Sequence, residues 1–146
     1  MVKLPEPGNN PVYPAGTYKV KILSWEFTEA KTGTKQIQWK AEIQEPQEYQ
    51  GRHINVFTPL TEAAIWRVSN LIGATGIKFD PNSIDTDSQA FKTLCNQTMG
   101  RTTYWLNAEA SYNGVPKNDI VKMEADQDQD EIEFSEKDDS PWPEEN

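Results

Sequence analysis

The stretch QIQWKAEIQ, residues 36–44, decides the fold class because apolar and polar residues alternate in it without exception. Glutamine, lysine and glutamate occupy one parity, and the other parity carries only apolar side chains, namely Ile37, Trp39, Ala41 and Ile43. A period of two is typical of a β-strand with one buried face, since successive side chains of a strand point to opposite sides. The alternation therefore predicts a half-buried strand in a mainly β domain.

The preceding apolar segment, GTYKVKILSWEF at residues 16–27, also alternates, but its parity changes in the middle. Apolar residues fall on even numbers up to Ile22 and on odd numbers from Leu23 onwards. An extra residue in one strand of a pair, a β-bulge, produces such a change and bends the strand. We therefore expect one long strand with a bulge near Ile22 and Leu23.

The elements that follow can be read from the same periodicities. A third short strand begins at Arg52, and the period of an amphipathic helix replaces that of a strand in TPLTEAAIWRVSNLIGATG, residues 58–76. Strand composition resumes at Met99, and Asn113-Gly114 is a strong hairpin signal that delivers a last strand at residues 118–123. The stretch QAFKTLCNQ, residues 89–97, suggests a further short helical piece.

The order of three strands, a helix and two strands predicts an OB-fold. This fold is a five-stranded Greek-key barrel, here with one helix between strands three and four. Another small α+β domain would also be compatible with the pattern, because strand pairing is not visible in one sequence. We expect an extended, proline-rich N-terminal arm at residues 1–15, the OB-fold at 16–123 and a tail at 124–146.

Charge separates the tail from the body of the protein. The chain has a net charge of −9, but residues 124–146 contain 11 acids and one lysine and so carry −10, which leaves +1 on the other 123 residues. A segment so acidic and poor in apolar residues cannot offset its ordering entropy by burial. We expect a disordered acidic tail beside a nearly neutral domain.

Several function classes lack the residues that they need. Cys95 and His53 are the only cysteine and histidine, so we expect no disulfide, metal or other cofactor. No signal peptide or apolar run of about 20 residues is present, which predicts a cytoplasmic protein with no membrane association. We expect no enzymatic activity; a metal-dependent nuclease would have to use Asp80, Asp85 and Asp87.

Cations and aromatic rings are interleaved along the predicted strands and loops, as single-stranded DNA binding requires. Cations follow the phosphates, and flat side chains stack on bases. The basic candidates are Lys19, Lys21, Lys31, Lys35, Lys40, Arg52, Arg101 and Lys117. The aromatic candidates are Trp25, Phe27, Phe57, Tyr104, Trp105 and Tyr112. Only one of Tyr104 and Trp105 can face inward, because adjacent side chains of a strand point to opposite sides. We expect the tryptophans Trp39 and Trp66 to pack within the domain.

The succession PAGTYKVKI, IQWKAEI, YQGRHINV, AIWRVSNLIGATG and MGR, within residues 14–123, resembles small phage-encoded single-stranded-DNA-binding proteins. More narrowly, it is similar to a group of phage proteins of unknown function encoded near recombination and replication genes. The markers are Gly16 with Tyr18, Gly51 with Arg52, and Gly100 with Arg101. The resemblance implies an OB-fold that binds single strands without sequence preference during DNA replication or recombination, in the cytoplasm of an infected bacterium.

The end of the chain resembles the acidic tips of bacterial and phage single-strand binders, which dock on replication and repair proteins. In DDSPWP, residues 138–143, the resemblance implies partner-binding roles for Asp138, Asp139 and Trp142. The chain departs from the bacterial pattern because Glu144, Glu145 and Asn146 follow the tip. We also expect the tail to compete with DNA for the lysines.

An alternative function can be separated from DNA binding by one deletion. An acidic protein-interaction module, or a DNA mimic that inhibits a host nucleic-acid enzyme, would act through the tail, and loss of residues 124–146 would abolish its function. A DNA-binding domain would keep or gain affinity after the same deletion. Edge strands could also pair between chains, so the sequence is compatible with an oligomer as well as with a monomer.

Overall fold

A computed structural model of the chain describes residues 12–135, and it is mainly β, as predicted. Its elements in chain order are β1 (Gly16–Glu29), β2 (Lys35–Glu45), β3 (His53–Pro59), α1 (Ile65–Ala74), β4 (Ile77–Lys78), α2 (Gln89–Thr98), β5 (Thr102–Tyr112), β6 (Val115–Ala125) and β7 (Ile132–Glu133). Neither helix is long and apolar enough to cross a membrane, within the range that the structure covers.

Five strands form one antiparallel sheet in the order β3-β2-β1-β5-β6, so that β3 and β6 lie at its edges. Within residues 12–135 no ladder joins these two edges, and the sheet is not closed into the predicted barrel. Helix α1 packs against both edge strands instead. Its Arg67 Nη2 donates a hydrogen bond of 3.0 Å to the carbonyl of Ile120 in β6, which gives that carbonyl a partner other than a strand.

Strand β2 has one buried face, as its alternation predicts, and its four apolar side chains are fully buried. The largest of them, Trp39, keeps its indole N–H paired through a hydrogen bond of 2.9 Å to the hydroxyl of Thr58 in β3. The bulge in β1 is also confirmed, since the pairing with β2 shifts register between Ile22 and Ser24. The shift keeps Trp25 and Phe27 on the inner side of the sheet, opposite buried residues of β2.

The connection between β3 and β5 contains two helices rather than one, which corrects the fold prediction. Helix α1 buries Val68, Leu71 and Ile72 of the predicted stripe. Helix α2 corresponds to the short helical piece suggested for residues 89–97, and the Ser88 hydroxyl accepts a hydrogen bond from the N–H of Phe91 at its start. The sequence contains a serine cap followed by apolar residues at helical spacing. This combination indicates a complete helix.

The hairpin prediction is confirmed. Asn113 and Gly114 form a two-residue turn with φ of 53° and 77°, and Tyr112 pairs with Val115 across it. Positive φ at both central residues is what a type I′ turn requires, and asparagine and glycine tolerate it best. The last strand is longer than predicted and extends from Val115 to Ala125.

The described structure continues past the predicted domain boundary at residue 123. Strand β6 continues to Ala125, and residues 126–135, which we call the C-terminal strap, return across the domain. The strap forms β7 beside β4, and its Phe134 packs against the core. Contacts that are distant in sequence order this acidic stretch, although its composition predicted disorder. Residues 1–11 of the predicted arm, and the tail candidates Asp138, Asp139 and Trp142, lie outside the described residues.

Candidate nucleic-acid interface

Alternate side chains of the sheet point away from the core and form a surface that we call the outer face. Five candidates from the sequence lie on it: Lys19, Lys21, Lys40, Phe57 and Tyr104. In β2 and β3, Gln38 lies opposite Phe57, and Lys40 lies opposite Asn55. Phe57 and Lys40 are therefore diagonal neighbours on adjacent strands. Phe57 is 41% exposed, so an aromatic residue faces solvent beside a cation.

Lys19 lies directly opposite Tyr104 on the outer face, but its ammonium group is already engaged. Its Nζ lies 3.6 Å from a carboxylate oxygen of Asp126 and 4.0 Å from one of Glu45. The nearby Asp126 raises the pKa of Lys19, so the amine stays protonated. DNA phosphates would have to compete with two carboxylates for this lysine.

A groove separates the two open edges of the sheet, and Lys117 faces Phe57 across it. Its volume is about 330 Å³, and its lining is Val12, Asn55, Val56, Phe57, Arg67, Pro116, Lys117, Asn118, Asp119 and Ile120. It continues past Arg67 into a depression of about 240 Å³ lined further by Trp66, Asn70, Val121, Lys122 and Met123. We call the two together the seam groove. It adjoins the outer face along β3.

A second group of candidates lies apart, at the end of the sheet that α2 covers. Trp25 is half-buried, and its indole N–H donates a hydrogen bond of 2.9 Å to the Asn96 side chain. Phe27 packs edge-on against Trp25, with ring centroids 5.2 Å apart, and stays 44% exposed. It shares a depression of about 520 Å³ with Lys35. Lys31 is exposed in the preceding loop.

One candidate is fully buried, which corrects its predicted stacking role, and a second makes hydrogen bonds within the fold. Trp105 is 0% exposed, so its ring is not accessible for stacking, and Tyr104 is the outward member of the pair. Arg101 donates to the carbonyl of Thr75, at 2.8 Å, and to the carbonyl of Asp130. Burial lowers the pKa of Arg101, as expected for a cation removed from water. Both residues hold the fold together.

The remaining candidates, Arg52 and Tyr112, lie at turns between strands. Arg52 is exposed in the turn that follows β2, and its guanidinium carbon lies 5.8 Å from the centroid of the Tyr49 ring. Tyr112 lies at the β5–β6 turn, and its side chain lies outside the described features.

The aspartates considered for a nuclease serve local turns. Asp80 accepts a hydrogen bond from the N–H of Asn82, and Asp85 accepts one from the N–H of Asp87, each at 3.0 Å. In the part of the chain covered by the structure, no group of three or more His, Cys, Asp or Glu side chains is arranged to hold a metal ion. Burial raises the pKa of the Cys95 thiol, which therefore stays protonated.

The structure also exposes two apolar residues that were not site candidates, and one of them, Trp66, had been expected to serve packing. Trp66 is 58% exposed and Val121 is 56% exposed, and both line the seam groove. A register shift in the β5–β6 pairing leaves Val121 between the paired residues Ile120 and Lys122. Trp66 is adjacent to the buried stripe of α1 without belonging to it. That offset was visible in the sequence and could have marked it as a surface residue.

The sequence matches a known protein family. A family model described as "Protein of unknown function (DUF669)" matches residues 7–128. The match spans the whole five-stranded sheet and reaches into the C-terminal strap. None of the curated proteins matches the sequence.

Proposed function

Because the chain belongs to the DUF669 family, whose description assigns no activity, we propose from its geometry that it binds single-stranded DNA without sequence preference. The site is the outer face of β2 and β3 together with the adjoining seam groove. The protein acts as a binding protein and not as an enzyme.

The observation that carries the proposal is the exposed ring of Phe57 beside Lys40, with Lys117 on the other side of the groove. A base that stacks on an aromatic side chain contributes about 1–3 kcal/mol, and any base can do so because each has a π-face. A single strand exposes its bases for stacking, whereas a duplex keeps them paired. Two lysines that line the surface around this ring supply charge for phosphates, and phosphate contacts carry no sequence information.

The strand order supports a finer fold assignment, and we propose that the sheet is an OB-type barrel opened between β3 and β6. Strand β1 pairs with both β2 and β5, so it joins the three-stranded meander β1–β3 to the β5–β6 hairpin. The OB-fold is a partly open Greek-key barrel whose second and third strands receive oligonucleotides. Phe57 and Lys40 lie on those strands.

The acidic end of the chain gives the proposal a second part. We propose that Asp138, Asp139 and Trp142 recruit replication or recombination proteins of a phage system, and that the acids compete with DNA for the outer face. Within the described residues, one acid of the predicted tail already contacts this face, since Asp126 pairs with Lys19. The setting would be the cytoplasm of an infected bacterium.

Titration of a fluorescently labelled oligonucleotide tests the proposal, with single-stranded and duplex forms of one sequence. Phe57→Ala should weaken single-strand binding by about 5- to 150-fold, which corresponds to the loss of about 1–3 kcal/mol of stacking. Phe57→Tyr keeps the ring and should retain most of the affinity. Lys40→Gln should reduce the slope of log K against log salt by about one phosphate contact.

The opposite outcome is also informative. If the unaltered protein binds neither form at low salt, where phosphate contacts are strongest, the DNA-binding proposal is wrong. Pull-downs with the intact chain and Trp142→Ala would then test the acidic interaction module as the remaining explanation.

A further inference from the structure

Phe27 is a second exposed aromatic residue, and it lies on the other face of the sheet from Phe57. Phe27 pairs with the buried Ile37 of β2, whereas Phe57 pairs with the next residue of β2, Gln38. Successive side chains of a strand point to opposite faces, so the two phenylalanines face opposite sides of the sheet. Phe27 therefore belongs to a separate surface, at the end of the sheet that α2 covers.

The position of the Phe27 ring is fixed by other aromatic side chains. The Trp25 ring lies edge-on to it, with centroids 5.2 Å apart, and the centroid of the Phe91 ring in α2 lies 6.3 Å away. Trp25 is held in turn by its hydrogen bond to Asn96. Phe27 nevertheless stays 44% exposed. An aromatic residue that is packed against two other rings and still reaches solvent offers a preorganised surface on which a flat ligand can stack.

The depression beside Phe27 has the size of a small-molecule site. Its volume is about 520 Å³, and ligand pockets typically have volumes of about 300–1,000 Å³. Leu60 adds apolar surface to the lining. The N–H of Leu60 also donates a hydrogen bond of 2.9 Å to the carbonyl of Lys35, which fixes this end of β2. The depression therefore combines an aromatic ring and an aliphatic side chain.

Two lysines from different elements line the same depression. Lys35 belongs to β2 and Lys92 to α2, and both are exposed. Neither of them forms an ion pair with another residue of the described range, in contrast to Lys19 on the outer face. A phosphate group can therefore approach these lysines without displacing a carboxylate.

Two carboxylates, those of Glu29 and Asp87, also line the depression. Glu29 lies opposite Lys35 on the neighbouring strand, and Asp87 lies in the loop before α2. Carboxylates repel a phosphate group, but they accept hydrogen bonds from amino groups such as the N4 amino group of cytosine. A ligand that suits this lining therefore carries both an anionic group and a flat ring with an amino group.

We propose that this depression binds one nucleotide, with the base stacked on Phe27 and the phosphate group held by Lys35 and Lys92. The carboxylates of Glu29 and Asp87 favour a base that carries an amino group. The nucleotide is either free in solution or the phosphorylated 5′ end of a strand, which present the same chemistry. The site does not rest on the proposed function, because a single nucleotide needs neither the outer face nor the seam groove.

NMR titration of isotope-labelled protein with deoxycytidine monophosphate (dCMP) at low salt tests the site without a DNA strand. The backbone amide signals of Phe27, Lys35 and Lys92 should shift, and those of Lys40 and Phe57 should shift much less. Absence of shifts at the first three residues overturns the inference. An equal response to inorganic phosphate alone also overturns it, because that result would indicate a simple anion site.

Substitutions separate the base from the phosphate group. Phe27→Leu keeps an apolar side chain and should weaken dCMP binding by at least about fivefold, the lower limit for the loss of one stacked base. Lys35→Gln and Lys92→Gln should each weaken the binding of dCMP but not that of deoxycytidine, which has no phosphate group. Lys31→Gln is the matched control, because Lys31 is exposed in the neighbouring loop outside the lining, and it should leave dCMP binding unchanged.

Two further ligands identify the source of the nucleotide and the role of the carboxylates. A short oligonucleotide with a 5′-phosphate that shifts the same signals at lower concentration than dCMP identifies a strand end as the ligand, and the reverse order identifies the free nucleotide. Thymidine monophosphate has no amino group and should bind more weakly than dCMP; equal binding overturns the role of Glu29 and Asp87. A response to dCMP without strand binding leaves this site intact and removes the proposed function, whereas strand binding at Phe57 without a response to dCMP does the reverse.

Discussion

The ion pair between Lys19 and Asp126 links the outer face to the C-terminal strap through two side chains. Asp126 also accepts hydrogen bonds from the Thr102 hydroxyl, at 2.6 Å, and from the N–H of Asp128, at 3.0 Å. The Thr102 hydrogen bond favours the ionised carboxylate and, with Lys19, holds the pKa of Asp126 below its ordinary value despite burial. A single carboxylate therefore anchors the strap and occupies a lysine that phosphate would use.

Replacement of Asp126 by alanine should destabilise the fold by about 1–3 kcal/mol, because two donors lose their acceptor. In the folded protein the pKa of Asp126 is depressed, so below its ordinary value of 3.8 the unfolded chain binds more protons at this site. This contribution to stability is present at neutral pH and disappears as pH falls through the folded pKa. Urea denaturation at several pH values measures it.

The exposed neighbour Asp128 provides the control for this measurement. Asp128→Ala should change the free energy of unfolding at neutral pH by less than about 0.5 kcal/mol, as is usual for surface positions. The gap between the Asp126→Ala variant and the unaltered protein should narrow in acid. A gap that stays constant from neutral pH to pH 2 would show that ionisation of Asp126 contributes nothing to stability.

The C-terminal strap is the element that most changes the picture of the domain. The side chain of Gln129 donates to the carbonyl of Thr75 at 3.1 Å and accepts from the N–H of Thr102 at 3.0 Å. The N–H of Ile132 donates to the carbonyl of Gly76 at 2.9 Å. Gly76 has a φ of +87°, and a Cβ there would lie 2.8 Å from Arg101 Nη2, so this junction requires glycine.

A chain that ends at residue 123 should consequently be less stable than one that ends at residue 135. The shorter chain loses Phe134 and Ile132 from their packing against the core, together with the hydrogen bonds of Gln129. Loss of partly buried apolar groups and buried polar contacts should cost about 2–5 kcal/mol. Thermal or urea unfolding of the two chains gives the comparison.

The chain that ends at residue 135 should match the full-length protein in this experiment, which makes it the control. Equal unfolding midpoints for all three chains would mean that the strap adds nothing to the fold. The result also decides which truncation suits DNA titrations, since an unstable domain would mimic a loss of affinity.

At the scale of the whole molecule, the distribution of charge affects the affinity of the protein for a polyanion such as DNA. Residues 136–146 contain five acids and one lysine, so their removal changes the net charge from −9 to −5. Removal should tighten single-strand binding at low salt, because fewer acids compete with phosphates for the lysines. The difference should shrink at about 1 M salt, where the screening length falls to about 3 Å.

A full-length variant with glutamine at the five acidic positions separates charge from chain length. It should reproduce the effect of the deletion on DNA binding if electrostatic competition is the cause. Tighter binding by the deleted chain alone would instead indicate that the segment blocks the site by its bulk, and no change in either protein would contradict the competition.

Periodicity alone determined the local structure of this protein. The alternation in β2, the bulge at Ile22, the stripe of α1 and the Asn113-Gly114 turn each depend on neighbours in sequence, and each is found where the residues predict it. Such patterns are reliable because strand and helix geometry repeats over a few residues. Strand geometry also requires that Tyr104 and Trp105, which are adjacent, point to opposite faces of the sheet.

Tertiary structure decided which candidates share a surface. The sheet places Lys40 beside Phe57, sends Trp105 into the core and commits Arg101 to two carbonyls, and none of these outcomes depends on sequence neighbours. The opening between β3 and β6 and the order in residues 126–135 also arise from contacts between distant parts of the chain. Composition measures only what a segment could bury by itself, so it misjudged a strap whose partners are supplied by the rest of the domain.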